Sequence, residues 1–174
     1  MKSLILIIVL IIAVVACNQN YSQEEMNDMV SKKVAEEIEK IEVKEKKNIE
    51  SVIGLLTAFG TGETDKIDEY IHEDFVNHMA PEGLKDRAGF HKIVKNVNSV
   101  FAMFDSYDVK PAHIFSKGDY VAMMDLGFGV KNGNEFKHTD FHIFKMKDGK
   151  LLEHWNSFKL DSQEKNLQKF LAEK

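Results

Sequence analysis

Thr139-Asp-Phe-His-Ile-Phe-Lys-Met-Lys-Asp-Gly-Lys-Leu-Leu-Glu-His-Trp-Asn-Ser-Phe158 is two runs of alternating apolar and polar residues joined at Asp148-Gly149. Asp-Gly between such runs is a strong signal for a two-residue hairpin, because both central residues of the tight turn need positive φ. Counting outward from the turn sets Lys147 against Lys150, Met146 against Leu151, Phe144 against Glu153, His142 against Trp155 and Asp140 against Ser157. Opposed residues share a sheet face, as do residues two apart. One face is therefore expected to carry Asp140, His142, Phe144, Met146, Leu151, Glu153, Trp155 and Ser157. This apolar wall, with carboxylates, an imidazole and an indole set into it, suits a pocket for a small apolar molecule. The other face, with Phe141, Ile143, Leu152 and His154, is expected outside as a dimer patch.

Working outward, Tyr107–Phe115 and Tyr120–Val130 read as strands around Lys117-Gly-Asp119, and Lys131-Asn-Gly-Asn134 as another hairpin turn. Upstream the apolar period is helical: Ile49, Val52, Ile53, Leu56 and Phe59, then a short helix opened by Thr64 and ending near Ile71. Asp74–His78 is an extended piece. A third helix is capped by Asp86 and carries Phe90, Ile93, Val94, Val97, Val100, Phe101 and Phe104 on one face. Leu167, Phe170 and Leu171 mark a closing helix over Gln163–Ala172. Helices followed by consecutive hairpins predict an α+β fold with helices on one face of a bent antiparallel sheet. Roughly 125 residues suffice for one core.

The first sixteen residues stand apart. Lys2 precedes an apolar run from Leu4 to Val15, short for a spanning helix and typical of a signal peptide. Val14-Val-Ala-Cys17 resembles the lipobox of bacterial lipoproteins, whose cysteine is acylated and becomes the first mature residue; a plain N-terminal anchor is the alternative. Lipidation at Cys17 would tether the chain to the membrane on the cell-envelope side. Cys17 is the single cysteine, so no disulfide, thiol nucleophile or cysteine metal site is open to the mature domain. The net charge of −5 carries no basic nucleic-acid footprint. Residues 17–46 read as a tether and a charged spacer helix with a narrow stripe of Met26, Val30, Val34, Ile38 and Ile41. The stripe fits either a solvated spacer or a short coiled coil. The compact domain is expected over 47–160, with 161–174 as the closing helix.

Three segments carry a resemblance over roughly Asn48 to Leu160. They are Val76-Asn-His-Met-Ala-Pro-Glu-Gly83, Lys117-Gly-Asp-Tyr-Val121 and Phe144-Lys-Met-Lys-Asp-Gly-Lys-Leu-Leu-Glu-His-Trp155. Together with the order of elements they resemble the SnoaL-like polyketide cyclases of the nuclear transport factor 2-like superfamily. The resemblance implies a cone, in which a strongly bent sheet wraps helices around a cavity. It also implies cofactor-free and metal-free chemistry such as aldol-type closure, isomerisation, dehydration or epoxide opening. The family's acidic residue six positions before the turn Asp is His142 here, and an acid stands instead at Asp140. The family's Arg after the aromatic is Lys145, and its Asp after Trp is Asn156.

His142 is the leading acid/base candidate, since an imidazole exchanges protons near neutral pH. Asp140, about 7 Å along the strand, could orient it or act as the base itself. The alternative for His142 is a structural histidine packed on Trp155. The resemblance places His78 at the cavity rim as a donor to a carbonyl, against a plain loop-capping role. Trp155, Phe144, Met146, Glu153 and Phe101 are the expected substrate wall. His138-x-Asp140-x-His142 has the alternation of strand-borne metal ligands, but the expectation is no metal.

Overall fold

The computed structural model describes residues 22–157. The expected signal peptide, Cys17 and the expected closing helix over Gln163–Ala172 lie outside the described residues. The chain falls into two compact units, Met1–Lys44 and Glu45–Lys174.

In the first unit the described residues from Gln23 onward are helical. Ser22 opens the helix with a reciprocal capping box: its Oγ accepts from the Glu25 amide at 3.2 Å, and Glu25 Oε2 accepts from the Ser22 amide at 2.7 Å. Ile38 and Ile41 are exposed. This helix, α1 (Gln23–Thr61), is continuous where the sequence predicts two. Nothing between Glu45 and Asn48 breaks it, because all four residues tolerate the helix and neither Gly nor Pro intervenes.

In the second unit, the stretch of α1 from Asn48 buries Asn48, Val52, Leu55 and Ala58. That stripe is rotated from the expected one, leaving Ile53 41% exposed. A 3-10 turn (Thr64–Lys66) and α2 (Ile67–Tyr70) follow. Thr64 makes no cap, since the residue in that position is Glu63. Next come β1 (Ile71–Asn77), α3 (Arg87–Phe101), β2 (Ser106–Lys117), β3 (Tyr120–Lys131), β4 (Asn134–Lys147) and β5 (Lys150–Asn156). Asp86 caps α3 as expected, its Oδ1 accepting from the Gly89 amide at 2.7 Å.

The five strands form one curved, unclosed sheet in the order β1-β5-β4-β3-β2. β2 to β5 are antiparallel neighbours, whereas β1 lies parallel to β5, so the sheet is mixed. Both short hairpin turns have the predicted chemistry, with positive φ at Asn132, Gly133, Asp148 and Gly149. Val121, Met123, Phe144, Met146 and Leu151 on the inner face pack against Val52, Leu55, Ala58, Ile67, Phe75, Phe90 and Val94. This is the α+β cone expected from the sequence.

One feature of the β4–β5 hairpin overturns the counted register. Met146 opposes Leu151, but Lys145 opposes Glu153, leaving Leu152 as an extra residue in β5. The Met146 amide donates to Asp119 O at 2.6 Å. A one-residue bulge reverses every side chain beyond it. Phe144 is therefore opposed by His154, His142 by Asn156 and Ile143 by Trp155. Glu153 and Trp155, expected inside, lie on the outer face, and His154, expected outside, is buried.

Candidate active site on the inner sheet face

Successive rows across the sheet place Met123 beside His142, Asp125 beside Asp140, Gly127 beside His138, and Tyr107 beside Gly129. All lie on the inner face, at the end away from the β4–β5 turn. Room for the rings comes from missing side chains. A Cβ on Gly127 would run into the His138 imidazole, and one on Gly129 into Phe104 and Tyr107.

The polar side chains form a continuous series. The Tyr107 hydroxyl meets His138 Nε2 in a short hydrogen bond, and His138 Nδ1 lies 3.4 Å from Asp140 Oδ2. Asp140 and Asp125 face each other across β4 and β3. Asp125 Oδ2 is 3.2 Å from His142 Nε2, and His142 Nδ1 is 3.0 Å from His154 Nε2. His142 stacks on Phe144 and His154, with ring centroids at 5.6 and 5.2 Å.

Two groups in the series are held neutral. Burial, then the charges of Asp140 and Asp125, push the Tyr107 phenol well above its ordinary value, so it stays a donor. With Tyr107 donating to Nε2, the neutral His138 tautomer carries its proton on Nδ1, facing Asp140. Burial, then His142 and then His78, hold His154 well below 6.5. A neutral His154 can donate to or accept from His142 Nδ1, so it accommodates either charge state of that ring. One oxygen of Asp125, one of Asp140 and one nitrogen of His142 lie within 4.8 Å of one another.

The structure thus brings Asp140 and His142 together with His138, which shares their strand face, and adds Asp125, Tyr107, His154 and Asn156. Phe101 reaches the same end, stacked on Tyr107 at 3.8 Å. Phe144 and Met146 are on the expected face, but they belong to the packed core.

His78, Glu153 and Trp155 form a separate cluster on the outer face. His78 stacks on Trp155 at 4.5 Å with planes 4° apart. Its Nε2 lies 2.7 Å from Glu153 Oε2, and Lys145 Nζ lies 2.6 Å from Glu153 Oε1. Lys145 first and His78 second hold the Glu153 carboxyl below its usual value. The predicted rim donor and indole wall are therefore turned away from Asp140 and His142, through the Leu152 bulge. A further groove, lined by Asp68, Glu73, Asp86, Arg87 and His91, has a volume of about 400 Å³. In it Arg87 and His91 bind Asp68 at 2.8 and 2.7 Å and draw that carboxyl down to about 2.

The sequence held a signal for Asp125, a lone carboxylate in an apolar strand, two and four residues before Gly127 and Gly129. His154 had none, because its face depends on the bulge.

The sequence profile of the SnoaL-like polyketide cyclases matches residues 51–167. A nogalonic acid methyl ester cyclase of Streptomyces nogalater is 26% identical over 123 residues, spanning 60% of this chain and 86% of that one. Among solved structures, IdmH of Streptomyces antibioticus superimposes with a TM-score of 0.56 at 21% identity, over 70% of this chain and 98% of that one. TsrD of Streptomyces laurentii gives a TM-score of 0.58 at 16% identity, over 70% and 95% of the two chains. These structural likenesses support the fold alone. With the profile spanning most of the chain and a curated relative covering the same domain, the chain belongs to the SnoaL-like polyketide cyclase family.

Proposed function

We propose that this domain binds a small, largely apolar carbonyl compound and catalyses proton transfer of the cyclase, aldol or isomerase type without a cofactor. The observation that carries the reading is the buried group on adjacent strands: Asp140, Asp125 opposite it, and His142 with Nε2 3.2 Å from Asp125. In this reading the Asp140 carboxylate removes a proton α to the carbonyl. The resulting Asp140 carboxylic acid returns that proton to carbon, while His142 acts as the acid by donating an N–H hydrogen bond toward the developing enolate oxygen, its ring held beside the Asp125 carboxylate. Family membership supports the reaction class. His78 takes no part, being on the opposite face.

The test is solvent-deuterium exchange into a panel of carbonyl compounds, followed by mass spectrometry, for wild type, Asp140→Ala and His142→Ala. The expected result is exchange by wild type that falls by at least about 10²-fold in each variant. Background exchange throughout, or equal exchange in all three proteins, would sink the proposal.

A second reading, a non-catalytic dimerising module, is favoured by the outer face. There Phe115, Leu126, Phe141 and Ile143 are 64%, 48%, 55% and 50% exposed on neighbouring strands. Sedimentation of wild type against Ile143→Lys decides it, a monomeric wild type refuting it. Either reading is proposed for a lipoprotein of the bacterial envelope, on the strength of the apolar run ending at Cys17. Labelling with a palmitate analogue that persists in Cys17→Ser would exclude that anchor.

A further inference from the structure

We propose that Asp125, Asp140 and His142 form a binding site for one divalent ion of the zinc, manganese or cobalt type. Asp125 and Asp140 are register partners on β3 and β4 and are only 4% and 7% exposed. Two carboxylates set face to face away from water repel each other and lose hydration, so positive charge between them is strongly favoured. His142 brings Nε2 to within 3.2 Å of Asp125 Oδ2. The three donor atoms lie mutually within 4.8 Å. A single ion with bonds of about 2.0–2.2 Å could draw them together through small side-chain rotations.

A second observation does not depend on that spacing. Asp125 Oδ1 is enclosed and receives no hydrogen bond among the described residues. A buried carboxylate oxygen without a donor is costly, and coordination to a cation removes the cost.

The surroundings are those that hold ligands in place. With Nε2 directed at the ion, His142 keeps Nδ1 at 3.0 Å from His154 Nε2, which sets the ring orientation. Behind Asp140 stand His138, at 3.4 Å, and the Tyr107 hydroxyl that holds the other nitrogen of His138. Such outer contacts orient a ligand and tune its basicity. A mixed carboxylate–imidazole set selects borderline ions over calcium or magnesium, which prefer oxygen alone. The group His72, Glu73 and Asp74 brings three donor atoms equally close, but it is consecutive in sequence and largely exposed, and nothing beyond proximity marks it.

The inference does not rest on the proposed reaction. An ion on His142 Nε2 and Asp140 would engage the lone pairs that proton transfer uses, so the two occupancies exclude each other. The test uses the full chain, stripped with a chelator, dialysed and titrated with Co²⁺, Zn²⁺ and Mn²⁺. Visible absorption of cobalt and the melting temperature are the readouts. The expected result is saturable uptake of one equivalent of Co²⁺, displacement by Zn²⁺, and binding weakened by at least about tenfold in Asp125→Asn. Absence of saturable binding of all three ions overturns the proposal, as does equal affinity in wild type and Asp125→Asn. If that variant fails to fold, His142→Gln is read the same way. Asp74→Ala should bind as wild type does; loss of binding there places the ion in the exposed group and overturns the proposal. Deuterium exchange by the chelated protein reports separately on the proton-transfer reading.

Discussion

Mild acid should destabilise this domain through His154, and the size of the effect can be worked out from its surroundings. The ring is buried beneath the sheet, stacked against Phe144 with centroids at 4.9 Å and bonded to His142. Burial first, and His142 second, hold it neutral well below 6.5. In the unfolded chain the same imidazole takes up a proton as pH falls past 6.5. The unfolded state therefore binds more protons than the folded one below that pH, and stability declines as pH falls through the interval. Each pH unit in which folded His154 stays neutral costs about 1.4 kcal/mol. From about pH 7 to about pH 5 that amounts to roughly 2 kcal/mol, with no contribution from this group at higher pH. Urea unfolding at the two pH values, on wild type and His154→Gln, measures it. Glutamine offers His142 a partner without titrating, so the variant should lose roughly 2 kcal/mol less on acidification, whatever its stability at neutral pH. An equal loss in both proteins would refute the buried neutral His154 and with it the bulged register.

Three further outcomes follow from the packing. Deleting Leu152 removes the unpaired residue and leaves a regular ladder in which Lys145 still faces Glu153 and Phe144 still faces His154. Unfolding should therefore stay cooperative, with native-like emission from Trp155, the only tryptophan, and loss of either would contradict the assignment of Leu152 as the extra residue. Gly127→Ala sets a methyl against the His138 ring and should cost about 1–3 kcal/mol in chemical unfolding, with a changed His138 ring signal by NMR. Leu151→Ala, at a fully buried core position, should cost about 2–5 kcal/mol, whereas a loss under 1 kcal/mol would mean the strand is not packed as described.

Much of the fold was legible because it is written in local chemistry. Asp148-Gly149 and Asn132-Gly133 specify turns through positive φ, and Asp86 caps its helix through a side chain three residues from its partner amide. Helix faces were less legible. The stretch Ile49–Phe59 is apolar on more than one side, and only contact with the sheet chose Leu55 over Ile53 for burial. The parallel pairing of β1 with β5 joins segments far apart in the chain and has no local signature.

The candidate site divides the same way. By itself the sequence determined that Asp140, His142 and His138 share a strand face, because alternation along one strand is a property of the backbone. It also determined the family, through the Asp-Gly-Lys hairpin motif and the order of elements. What faces those residues was decided only in the tertiary structure. Asp125 arrives by pairing of β3 with β4 and Tyr107 by pairing of β2 with β3. His154 takes the place expected for Glu153 and Trp155 because one unpaired residue, Leu152, reverses the strand. Strand alternation propagates without loss along a regular ladder, so a single extra residue changes which side chains meet the buried carboxylates, and only the hydrogen-bonded pairing reveals it.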